Sequence, residues 1–169
     1  MRSAQRKVIL LAVIWMLLLV ATRQDAPGTT QASLCLPTER VVFSCSLKRS
    51  AKLVALCSSK SLTKETGYLQ YRFGLPGVVE LEFPKQREGS SQAFRYHHYF
   101  RAQVDLTEIS FTNDGIEYTV FDNYNGEEKP ATSDEGVTVS QKGKDTTLSC
   151  NGRAKVDFAN LDTVLPLVE

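Results

Sequence analysis

The stretch ISFTNDGIEYTV, residues 109–120, leaves a chain few ways to fold. Asn113-Asp114-Gly115 is a tight-turn signal, because glycine takes the positive φ of a short hairpin turn at no steric cost. Successive strand side chains point to opposite faces, so folding back here brings Ile109 and Phe111 onto the same face as Ile116, Tyr118 and Val120. The same construction around Lys142-Gly143 sets Val137 against Leu148 and Val139 against Thr146. Each hairpin gathers its apolar residues on one side, which predicts a sheet with one buried and one wetter face.

Through the rest of the chain the apolar period is again two rather than 3.6, and Gly, Pro, Asn, Asp and Lys bound the runs. Strands are expected over 41–46, 52–58, 68–73, 78–83, 94–104, 107–112, 116–122 and 137–140, the last paired with 144–150. Eight or so short strands at regular spacing predict an all-β domain, an antiparallel sandwich or small barrel. Only the tail RAKVDFANLDTVL, residues 153–165, has room for a helical turn or two.

Arg2, Arg6 and Lys7 precede the uncharged run VILLAVIWMLLLVA, residues 8–21, the pattern of an export signal. Fourteen helical residues reach about 21 Å, short of the ~30 Å hydrocarbon core, so a leader cut after Ala32 is expected and no lasting membrane anchor. A lipoprotein signal fails, since Leu34 stands where a small residue is needed and Cys35 lies fourteen residues past the apolar run. Residues 1–32 carry four of the chain's 20 basic residues and one of its 19 acids, leaving 16 and 18, a formal charge of −2. No basic surface for nucleic acid remains. Residues 33–169 are the length of a single exported domain.

All four cysteines, Cys35, Cys45, Cys57 and Cys150, fall in that domain. An even number in an oxidising compartment predicts two disulfides. The spacings of ten, twelve and ninety-three lack the close ligand pairs of a zinc site, so no metal is expected. Cys45 and Cys57 fall on one expected hairpin, which favours Cys45–Cys57 together with Cys35–Cys150.

The segment EGSSQAFRYHHYFRAQVD, residues 88–105, holds both histidines. Alternation sends Tyr96, His98, Phe100, Ala102 and Val104 to one side and Arg95, His97, Tyr99 and Arg101 to the other, so the histidines cannot grip one metal together. His98 is expected to be a partly buried, hydrogen-bonded residue on the apolar side. The opposite stripe of Arg95, His97, Tyr99 and Arg101 suits an anionic ligand or an acidic protein surface. DNYNGEE, residues 122–128, fails the calcium-loop pattern because Tyr124 and Gly126 stand at ligand positions, and an ordinary polar loop is expected. Glu80, Glu82, Asp105, Glu108 and Glu117 offer material for the paired carboxylates of a glycosidase, although strand spacing alone does not say which meet. No nucleophile elbow, zincin motif, phosphate loop or dinucleotide fingerprint occurs, so no cofactor is expected.

On VVFSCSLKRSAKLVALCSS, YLQYRFG and HHYFRAQVDLTEISFTNDGIEYTVFD, the chain resembles small exported bacterial β-domain proteins of unassigned function, over most of residues 35–150. More loosely, Gly89-Ser90-Ser91 running on to Tyr96 is similar to the Ser/Gly loop that periplasmic lysozyme inhibitors insert into the enzyme's cleft. Here glycine precedes the serines and the aromatic stands farther off. The resemblance implies a periplasmic or secreted compartment and, more loosely, an inhibitor-like loop at Ser90 and Ser91. Joined to the stripe of Arg95, His97, Tyr99 and Arg101 read from the alternation, the expectation is a non-catalytic binding module with those six residues as partner contacts. A small hydrolase using paired carboxylates, or a structural envelope protein, is the alternative.

Overall fold

The structure is a computed structural model that describes residues 33–168; the expected leader, residues 1–32, lies outside them. Every strand expected from the alternation is present. They are β1 (Arg40–Ser46), β2 (Leu53–Ser58), β3 (Leu69–Leu75), β4 (Val78–Phe83), β5 (Arg95–Arg101), β6 (Val104–Asn113), β7 (Ile116–Asn125), β8 (Thr132–Gln141) and β9 (Lys144–Ser149), with a short β10 (Lys155–Val156) in the tail. The tail also forms one helical turn, Leu161–Val164. Two antiparallel five-stranded sheets result, β10-β1-β2-β3-β4 and β5-β6-β7-β8-β9. They make a sandwich, with Phe43, Val54, Leu56, Leu69 and Tyr71 of the first sheet sharing a core with Ile109, Phe111, Val120 and Val137 of the second. Tyr71 meets Phe111 at 4.9 Å and Tyr118 at 5.8 Å between ring centroids, and Phe83 stacks on Phe111 at 4.6 Å.

Both hairpins have the expected register. Ile109 faces Val120 and Phe111 faces Tyr118 around Asp114 and Gly115, whose φ angles are 53° and 75°. Val137 faces Leu148 and Val139 faces Thr146 around Lys142 and Gly143, at 51° and 75°. Two boundaries differ. The expected strand 94–104 breaks after Arg101, where Gln103 takes φ 65° in a turn and Arg101 pairs with Val104. Val104 therefore shares a side with Arg101, not with Tyr96. Strand β7 runs on to Asn125, so Asp122 to Asn125 are strand rather than loop.

The disulfides are Cys35–Cys57 and Cys45–Cys150, not the expected Cys45–Cys57 and Cys35–Cys150. Cys45 and Cys57 do lie on paired strands, but on opposite faces. Cys45 sits opposite Val54 in the core between the sheets, whereas Cys57 packs with Leu53, Ala55 and Leu34 on the outer face. A strand pair can be bridged only between residues on one face.

That outer face is itself covered. Residues 33–39 lie across it, fastened by Cys35–Cys57 and by a buried ion cluster. Arg72, 2% exposed, points both Nη atoms at the Glu39 carboxylate (2.6 and 3.0 Å) and its Nε at Glu82 (2.9 Å). Its Nη groups also donate to the Leu34 carbonyl and to Gln70. Glu39 further accepts from the Leu36 N–H and the Tyr68 hydroxyl. With cover on both sides, all six residues of β2 are buried.

Gly74 marks a close approach at the bulge in the β3–β4 pair, where an added Cβ would stand 2.1 Å from the Val78 carbonyl oxygen and 2.8 Å from the Glu80 nitrogen. Backbone cannot swing aside as a side chain can. Gly74→Ala is expected to destabilise by about 1–3 kcal/mol in denaturant titration, and an unchanged midpoint would show that the bulge relaxes freely.

Candidate functional site: the outer face of the second sheet

Nothing among the described residues covers the outer face of the second sheet. Cross-strand register assembles it in rows. Arg95, Ser110, Thr119, Thr138 and Thr147 form one, and His97, Glu108, Phe121 and Gly136 the next. Tyr99, Leu106 and Asn123 form a third. The centre is a shallow hollow of about 330 Å³ lined by Glu108, Thr119, Phe121, Asn123 and Thr138, among others. Gly136 admits no side chain here, since a Cβ would stand 2.4 Å from the Leu148 carbonyl oxygen and 3.1 Å from the Phe121 ring.

Four of the expected contact residues lie together on this face, along the edge strand β5. Arg95 is exposed and donates to the carbonyls of Gln92 and Phe94. His97 stands with its Nδ1 3.7 Å from Glu108. Tyr99 is 45% exposed. Arg101 makes a two-pronged ion pair with Glu127. That hydrogen-bonded pairing raises the Arg101 guanidinium's pKa and holds the Glu127 carboxyl below the usual carboxylate range. Both members are exposed, and surface pairs of this kind add little stability.

Ser90 and Ser91 do not join them. Both are buried in a 3-10 turn, Ser90–Ala93, and the Ser90 hydroxyl accepts the Leu69 N–H at 3.0 Å. They hold the crossover between the sheets instead of forming an exposed loop, and Tyr96 is buried as well.

Two atoms on the open face have hydrogen-bonding capacity left over. His97 Nδ1 and Asn123 Oδ1 are shielded from water yet make no hydrogen bond. Such groups cost free energy until a partner is supplied. Thr119, Phe121 and Asn123 are not among the contacts expected from the sequence. Their signal is the alternation of β7, whose expected span of 116–122 omits Asn123.

The other side of β5 is not the apolar flank that was expected. His98 is exposed, with Nε2 2.8 Å from Asp105 Oδ1, and Phe100 is 72% exposed. The inward side of the second sheet is thus buried at Tyr96, Ile109 and Val120 but open along the β5 edge, at His98 and Phe100. Across the sheet from His98, Asp122 lies directly opposite the buried Glu135. Burial first, and then the Glu135 charge, push the Asp122 carboxyl above its ordinary value, against Arg153. Glu135 accepts the Ala154 N–H at 2.8 Å. The acids expected from the sequence are dispersed: Glu80 pairs with Lys52, Glu82 with Arg72, Asp105 with His98, and Glu108 and Glu117 stand on the outer face.

No protein-family model, curated protein or solved structure matches this chain.

Proposed function

We propose that this chain is a non-catalytic, exported binding module of the bacterial cell envelope that holds its partner on the outer face of the second sheet. The observation that carries this reading is the contrast between the two outer faces. The first is covered by residues 33–39 and a buried ion cluster, whereas the second is open, hollowed and edged by Arg95, His97, Tyr99 and Arg101. Arg95, Tyr99 and Arg101 along β5 suit an acidic part of a protein or another anionic group. Exchanging Glu127 for a partner's carboxylate on Arg101 costs little, because exposed pairs are weak. Two disulfides accord with an oxidising compartment. With Ser90 and Ser91 buried, an inhibitor of this design works through a sheet face and not through a Ser/Gly loop.

The test is affinity for a partner captured from envelope extract, with lysozyme as the first pure protein tried. Arg95→Ala and Tyr99→Ala are each expected to weaken binding by about 1.5–3 kcal/mol without lowering the melting temperature. Binding that survives both substitutions contradicts the assignment. The hydrolase alternative keeps one supporting observation, the raised Asp122 opposite Glu135. Glycoside hydrolysis by the purified protein that disappears in Asp122→Asn would overturn the non-catalytic reading.

A further inference from the structure

We infer that one end of the first sheet, formed by the turns after β1 and β3, seats on an anionic lipid surface. Strands β1 to β4 alternate in direction, so the β1–β2 and β3–β4 turns fall at the same end. Leu53 pairs with Gly74, which sets Lys52 beside Leu75. The β3–β4 tip, Leu75-Pro76-Gly77-Val78-Val79, has no polar side chain and is exposed throughout, with Leu75 at 40%, Val78 at 56% and Val79 at 43%. Singly scattered apolar residues are ordinary on a surface, but a contiguous apolar tip marks a contact.

The neighbouring turn supplies the charge. Lys48 and Arg49 are exposed, and Lys52 reaches Glu80 at 2.6 Å while lying 4.9 Å over the Phe73 ring. Lys48, Arg49 and Lys52 against Glu80 leave the two turns with an excess of two positive charges. Asp134 and Glu135 line the hollow beyond Lys48, together with Arg153. The feature is a projecting tip flanked by cations, not a groove. A fluid interface takes up such side chains without a matching pocket, and its phosphates meet the lysines and arginine at headgroup depth. Among the described residues no helix is long and apolar enough to cross a membrane, so this is contact at a surface by turns. It uses a different part of the molecule from the proposed binding face, and either can fail without the other.

The experiment is co-sedimentation of the purified exported protein with vesicles of phosphatidylcholine alone or containing one quarter phosphatidylglycerol. The protein is expected to partition onto the anionic vesicles at least about tenfold better, and to release when salt is raised from roughly 0.01 to 1 M, which shortens screening from about 30 to about 3 Å. Lys48→Gln with Arg49→Gln is expected to lower partitioning about fivefold per charge. Leu75→Ser with Val78→Ser is expected to lower it about tenfold or more. Both variants alter exposed residues and should keep the parent melting temperature, which is measured alongside. Equal partitioning of parent and variants, or indifference to lipid charge, overturns the proposal. So does loss in the charge variant alone, which would mean that the tip does not insert. A tip variant that keeps its lipid partitioning but loses capture of a protein assigns the tip to a protein pocket and overturns the lipid assignment.

Discussion

Replacing Cys45 and Cys150 together by alanine will cost the fold about 4–5 kcal/mol. Their bridge closes a sequence separation of 105 residues and spans the core from β1 to the segment after β9. In the chain-entropy treatment a loop of that length restrains the unfolded state by about 4.7 kcal/mol, against about 3.4 for the 22-residue separation of Cys35 and Cys57. Single domains have only about 5–15 kcal/mol to lose. The first pair is therefore expected to be the difference between a folded and a largely unfolded protein near body temperature, while the second loosens residues 33–39 and leaves the sandwich standing. Denaturant titration of the two double-alanine variants checks the order, and a larger loss from the Cys35–Cys57 pair would contradict it. Thiol titration of the native protein should find no reactive group among the four cysteines.

Arg72→Met is expected to cost about 3–5 kcal/mol, because it removes the guanidinium fork from the fully buried Glu39 carboxylate and leaves that charge only the longer contact to Arg87 at 3.6 Å. The pH dependence separates this cause from simple loss of packing. Burial alone would push the Glu39 carboxyl up, but the Arg72 fork, the Leu36 N–H and the Tyr68 hydroxyl together hold it below its ordinary value of 4.5. A group depressed in the folded state contributes stability above its unfolded value, and loses it as pH falls through the lower folded one. In Arg72→Met the largest opposition to that burial is gone and only the Leu36 N–H, the Tyr68 hydroxyl and the more distant Arg87 remain, so protonating Glu39 costs the variant less than it costs the parent. The gap between the two should narrow as pH falls below about 4.5. A gap that stays constant from neutral pH to pH 3 would mean that Arg72 acts through its alkyl chain alone.

The hairpins at Asp114-Gly115 and Lys142-Gly143 were legible because a two-residue turn fixes register locally, and alternation then does the rest. The outward stripe of Arg95, His97, Tyr99 and Arg101 was legible for the same reason. The disulfide pairing was not, because it depends on which face each cysteine takes, and the β1–β2 pair shifts register between Val41 and Phe43. Arg72 alternates with the apolar Tyr71 and Phe73 within LQYRF. Its burial is shared with Leu34 and Glu39, more than thirty positions away, which no local pattern announces. The turn at Gln103 has neither glycine nor proline to mark it, so the strand expected from alternation runs three residues past Arg101 and puts Val104 on the wrong side. The floor of the candidate site needs the full length of β7 and its pairing with β8. That pairing also brings Asp122 opposite Glu135, which strand spacing within one segment could not show.

Site-specific photo-crosslinking in intact producing cells tests the binding face most directly. A benzophenone side chain at Tyr99 or Thr119 samples the outer face of the second sheet, and the same group at exposed Lys64, in the β2–β3 loop, is the control. A discrete adduct of the same mass from both face positions and none from Lys64 is the predicted result. Adducts from Lys64 with none from Tyr99 or Thr119 would contradict it.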